Sequence, residues 1–192
     1  MIHEEEKLRA DARANRDRIL EVARAALAAD PNASLNSIAK TAGVGQGTLY
    51  RHFPTREALV LGVYRKEIDA LVALAPTLLA EHPPLTAFRL WCDQLAALGR
   101  VKHGLADMLH AVISDDDFQA TYWPMVAAVR RLMDACERSG DIRPGAVPED
   151  FLLLMQFLWQ IPPSAQGDAQ ARRLLALIFR GLGAADAGEP AA

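Results

Sequence analysis

Between positions 46 and 56 the chain carries an amide, two hydroxyls, a phenol, an imidazole and two guanidinium groups, with no acid among them. The outward-facing members are Gln46, Gly47, Thr48, Tyr50, Arg51 and His52. Such a set donates hydrogen bonds to phosphate oxygens and to base edges. Each residue alone is ordinary surface; their spacing gives them a common direction. At 100° per residue Leu49 and Phe53 fall on one face, the core face, and Arg51 points directly away between Gly47 and Thr48. Tyr50 and His52 sit on the flanks, where they would meet the walls of a groove. Gln46 lies in the first turn, where a helix entering a groove reaches base edges. Gly47 costs about 1 kcal/mol of helix stability relative to alanine. Close approach of the backbone to DNA supplies a reason for it.

Other groupings offer less chemistry. His103, Asp107 and His110 fall at i, i+4 and i+7 and could share a helix face as metal ligands. Gly104 unsettles the start of that helix and a fourth ligand is missing, so no metal site is expected. Asp115-Asp116-Asp117 reads as a helix start favoured by the macrodipole rather than a catalytic carboxylate cluster. Cys92 and Cys136 stand apart from each other and from any histidine pair, which suits buried thiols in a reducing compartment. There is no glycine-rich phosphate loop, and neither a cofactor nor an enzymatic activity is expected.

The elements that position the 46–56 set can be read on either side of it. Leu35, Ile38, Ala39 and Ala42 give a short helix its inward face, and Gly43 supplies the left-handed residue of a tight turn. Val44 packs back, a second short helix runs from about 45 to 53, and Pro54 stops it. Two helices over such a turn make a helix-turn-helix. Thr55 then caps a long helix over 56–79, with Leu59, Val63 and Leu71 inward. Upstream, Ile19, Val22, Ala23, Ala26 and Leu27 define a helix over 15–29, behind an arm, residues 1–14, whose mixed charge suits fraying better than a grip on DNA, so it is expected to be flexible. Downstream, helices are expected over 85–100, 104–113, 117–138, 148–160 and 169–183, then a flexible tail, 185–192. No β-alternation appears. The expected fold is all-α: a three-helix helix-turn-helix DNA-binding domain over 15–54 and a helical regulatory and dimerisation domain over 55–184.

The segment AKTAGVGQGTLYRHFPTREAL resembles the DNA-binding region of the tetracycline-repressor (TetR) family of transcriptional regulators. The matching elements are Ile38-Ala39, Ala42-Gly43-Val44, Gly47-Thr48-Leu49-Tyr50, His52-Phe53 and Arg56-Glu57-Ala58-Leu59. The resemblance covers about residues 14 to 66. It implies that Gln46 reads bases and that Gly47 approaches them, and that Thr48, Tyr50, His52 and Arg56 grip phosphates. Arg51 matches a variable position against backbone or base. Ser34 and Asn36 match a phosphate contact and a base contact at the preceding helix. Gly45 departs from the family, which often places a serine-like cap there; glycine is tolerated at an N-cap.

Charge is distributed to match. Residues 1–66 hold 11 Lys or Arg against 8 Asp or Glu, and residues 67–192 hold 10 against 16. The first part is therefore turned toward a polyanion and the rest away from it. The greasiest run, Phe151 to Ile161, is far short of the roughly 20 residues of a membrane span, and a cytoplasmic protein is expected. Residues 148–160 and 169–183 are apolar over more than one face, which calls for cover from a second copy. The resemblance agrees, implying a homodimer paired through its last two helices on a palindromic operator, most often a repressor released by a small molecule. An apolar pocket is expected between about 85 and 160, with Trp91, Met108, Trp123 and Phe157 lining it and His110 as a polar anchor. Two other readings stand beside this one: a DNA-organising or interaction protein without an effector, and a helical enzyme.

Overall fold

The computed structural model describes residues 2–103, 113–162 and 164–183, and among these every regular element is helical. We number the α-helices α1 Ile2–Ala29, α2 Leu35–Thr41, α3 Gln46–His52, α4 Arg56–Glu81, α5 Pro84–His103, α6 Asp115–Ser139, α7 Pro148–Met155 and α8 Ala165–Gly181. A 3-10 turn over Gln156–Gln160 follows α7. The expected helix over 104–113 and the tail from 184 lie outside the described residues, apart from Ile113.

The chain divides into two compact units. The first holds residues through Lys66 together with Ile113; the second holds Glu67–His103 and the residues from Ser114 onward. The first unit runs 12 residues past the boundary expected after residue 54. Leu59, Val60 and Val63 of α4 are the cause, because they are buried with Ile19, Leu20, Leu49 and Phe53 in one core. Burying a leucine, isoleucine or phenylalanine contributes about 1.5–3 kcal/mol, so the first turns of α4 are held to this unit rather than the next.

Within that unit Gly43 takes φ +65° between α2 and α3, the left-handed turn expected. Ser34 caps α2 by accepting from the Ser37 N–H at 3.1 Å. Thr55 caps α4 by accepting from the Ala58 N–H at 3.1 Å. Gly62 lets α4 come close: a Cβ there would lie 2.8 Å from the Phe53 ring and 3.1 Å from Leu20. The segment expected as a flexible arm is instead the first half of α1, helical from Ile2.

The second unit is built around Phe88, Trp91, Cys92, Val129, Leu132, Met133 and Cys136, all buried. Phe88 sits 5.0 Å from Phe151 and 5.2 Å, edge-on, from Phe179, joining α5, α7 and α8. The Trp91 indole N–H donates to the Leu71 carbonyl at 2.9 Å, fixing α5 against α4. The single helix expected over 148–160 tightens into a 3-10 turn after Met155. Helix α8 starts four residues earlier than expected, because Ser164 caps it by accepting from the Gly167 N–H at 3.0 Å.

Candidate nucleic-acid interface

Helix α3 is short and attached by one face. Leu49 is wholly buried beneath it and Phe53, which ends it, is 2% exposed. On the other side Gln46, Gly47, Tyr50 and Arg51 are exposed, while Thr48 and His52 are half-buried on the flanks. Gly45 begins the helix in extended conformation with no side-chain cap. The first turn holds no acid, and Arg51 and His52 stand in the last. A groove between α2 and the start of α3 is lined by Asn36, Ser37, Lys40, Val44 and Gln46. The structure thus brings the two amides, Asn36 and Gln46, to one groove and adds Lys40 beside them. Lys40 lies one turn beyond Asn36 on α2, apart from the 46–56 run and from the positions that the resemblance marks on that helix.

Two expected phosphate contacts have partners inside the chain. The Ser34 hydroxyl is the α2 cap. The Arg56 guanidinium donates to the Ala33 carbonyl at 2.5 Å and also to the Pro31 carbonyl. It therefore pins the loop that leads into α2 against the start of α4. Glu57, next to it, is held below the ordinary carboxylate range by its own backbone N–H and by the Thr55 hydroxyl. At the other end of α3, the Arg16 guanidinium of α1 stacks 5.4 Å from the Phe53 ring centre. The Lys66 ammonium reaches the Asp17 carbonyl at 3.3 Å and the Glu21 carboxylate at 3.8 Å. Helices α1 and α4 are thereby clamped behind α3.

The residues expected to line a pocket in the second unit are dispersed. Trp91 is buried core with its N–H satisfied, whereas Trp123 is 55% exposed on α6 and Phe157 is half-buried in the 3-10 turn. Trp123 borders an open groove with Val126, Arg130, Arg131 and Glu149, where Arg130 and Glu149 pair at 3.6 Å; Trp91 is not among its walls. Met108, His110 and Asp107 lie outside the described residues, as does the His103 side chain. No group of three metal-ligating side chains occurs among the described residues.

A helix-turn-helix with one exposed polar face, in a chain that also folds a separate helical unit, is the layout of a DNA-binding regulator. Residues 19–63 match the model of the bacterial regulatory proteins of the tetR family. Residues 83–184, more than half of the chain, match the C-terminal domain of SbtR-like transcriptional regulators. The chain belongs to the TetR family of transcriptional regulators. The TetR regulator SCO0520 of Streptomyces coelicolor is similar in structure, at 38% identity and TM-score 0.76, over 90% of this chain and 99% of that one. A TetR regulatory protein of Mycobacterium vanbaalenii is 32% identical at TM-score 0.72, over 91% and 98%. The HTH-type transcriptional regulator SAUSA300_2515 of Staphylococcus aureus is 40% identical over 67 residues, 34% of this chain. That match spans just over a third of the relative's length, 36%. As a TetR-family member the chain is a helix-turn-helix transcription regulator and not an enzyme. Among the described residues no helix is long and apolar enough to cross a membrane.

Proposed function

We propose that this TetR-family protein is a homodimeric repressor that reads a palindromic operator with α3 and is released by a small molecule. The observation that carries the reading is the outward face of α3: Gln46, Gly47, Tyr50 and Arg51 lie open to solvent on a helix whose other face is fully committed to the core. Gln46, with Asn36 beside it, reads bases; Tyr50, Arg51, Thr48 and His52 hold phosphates along the groove. Ser34 and Arg56 act one step back, Ser34 by starting α2 and Arg56 by fixing the loop before it, so that their losses misplace the reading residues.

Dimerisation rests on α7 and α8. Each has one apolar face buried and a second left out: Leu153, Leu154 and Leu177 are 63%, 59% and 56% exposed. Such a surface is covered by a second copy, and two-fold symmetry then sets two recognition helices on two half-sites about 34–36 Å apart or somewhat more. An effector acts by preferring one of two head spacings; a 1–3 kcal/mol coupling carried along α4 is enough to release DNA. Among the described members of the expected lining, Trp123 and Phe157 keep accessible surface, and Trp123 borders the open groove where an effector would enter. Selection of duplexes from a random-sequence library by the purified protein tests the reading. An inverted repeat among the selected duplexes is expected; retention with no sequence in common would instead favour a DNA-organising protein.

A further inference from the structure

The apolar stripe that seats α1 in its core runs through Leu20, Ala23 and Leu27, all buried. Traced toward the N-terminus at the same alternating spacing of three and four, the line continues through Arg16, Arg13 and Arg9. At 100° per residue these six positions fall within about 80° of one another, so they form one line along the helix. Over the core the line is apolar, and beyond it the line turns into three exposed arginines. By the same angular count Arg18 falls on the far side and Asp11 is opposite the stripe. Asp17 is beside it, and Glu6 flanks its outer end.

This stripe has a fixed relation to α3. Arg16 lies over the ring of Phe53, the residue that ends α3. From there Arg13 and Arg9 extend along a continuous helix by about 10 Å, at 1.5 Å per residue. That equals the rise along the duplex axis of about three successive phosphates on one strand, 3.4 Å each. An apolar stripe continued beyond its core would seek another apolar surface; a cationic one attracts a polyanion. These arginines also lie before residue 19, where the match to the family's DNA-binding model begins.

We propose that the N-terminal half of α1 is a second DNA-binding element, in which Arg9, Arg13 and Arg16 lie along the phosphate backbone flanking the groove entered by α3. The inference rests on the DNA-reading role proposed for α3 and adds to it a grip that carries no sequence preference. Arg16 is a poor target for substitution because it also packs on Phe53. The informative variant is Arg9→Gln with Arg13→Gln, which keeps good helix formers at exposed positions.

The probe is a fluorescein-labelled duplex selected by the wild-type protein, titrated by anisotropy over a range of salt concentrations. The double variant should bind more weakly at low salt, with log affinity falling less steeply against log salt by about 0.9 for each phosphate left unneutralised. Its ranking of single-base variants of the duplex should match that of the wild type. Arg9→Lys with Arg13→Lys keeps the charge and should keep the slope. Arg131→Gln with Arg138→Gln, the same charge change on α6, should also keep it. A wild-type slope in the α1 glutamine variant, or an equal loss in the α6 variant, overturns the inference and leaves the role of α3 standing. A wild-type protein that selects no duplex overturns both.

Discussion

A methyl group added at Gly47 would meet nothing closer than an Arg51 guanidinium nitrogen 3.9 Å away, an ordinary contact. Nothing inside the protein requires glycine there, although glycine weakens a helix by about 1 kcal/mol relative to alanine. Gly47→Ala should therefore stabilise the folded chain by up to about 1 kcal/mol in urea denaturation while weakening binding to the selected duplex. A variant that gains stability and binds as before would show that the backbone does not approach DNA at this position. The outward direction of α3 was legible in the sequence, because Leu49 and Phe53 fix its inner face. The partners of individual side chains were not. Arg56 has the right type and place for a phosphate contact, yet the carbonyls of Pro31 and Ala33 lie within its reach. Only the folded path of the loop after α1 puts them there.

Helix existence followed from apolar periodicity, and the start of α4 followed from its cap, Thr55. Ser114 and Ser164 cap α6 and α8 two and four residues before the expected starts. Helices α4 and α6 run through Pro76 and Pro124, as expected. Two features were hidden for physical reasons. Mixed charge in residues 2–14 masked a helix whose arginines continue the core stripe. Helix α7 gives way to a 3-10 turn although Phe157 and Leu158 prolong its apolar run. At this scale the two thiols make a sharp test. Burial pushes the Cys92 thiol well up, with Asp93 and Cys136 adding to it, and burial then Asp141 push Cys136 from 9.0 to about 12. Below pH 9 folded and unfolded chains both hold these protons. Between about 9 and 12 the unfolded chain has lost them and the folded one keeps them, so stability falls as pH rises through that window. Urea midpoints between pH 8 and 11 should fall, and Cys136→Ala should flatten the decline. An identical pH profile in that variant would show that the Cys136 thiol is not held protonated by the fold.

At the level of the whole molecule, the split of charge and the two-faced apolar helices were legible together, because both are properties of long stretches. The division of α4 between two units was not, since its inward residues repeat without a break from Leu59 to Leu71. The exposure of Leu154 makes it the cleaner probe of pairing, because a charge there costs the single chain little. Ile178 is half-buried, and a charge there would also disturb the fold. Leu154→Asp should give a folded monomer at micromolar concentration by light scattering, by burying an unpaired ion in any pair. A variant that still pairs would place the interface elsewhere.

The central claim is that α3 reads base sequence, and it is tested most directly at Gln46. Anisotropy binding of the wild type and Gln46→Ala is measured against the selected duplex and each of its single-base substitutions. The wild type should lose about 1–3 kcal/mol at the base pairs that Gln46 contacts. Gln46→Ala should bind the original duplex more weakly by a similar amount and become indifferent at those base pairs alone. A variant with wild-type affinity and wild-type preference at every position would contradict the account.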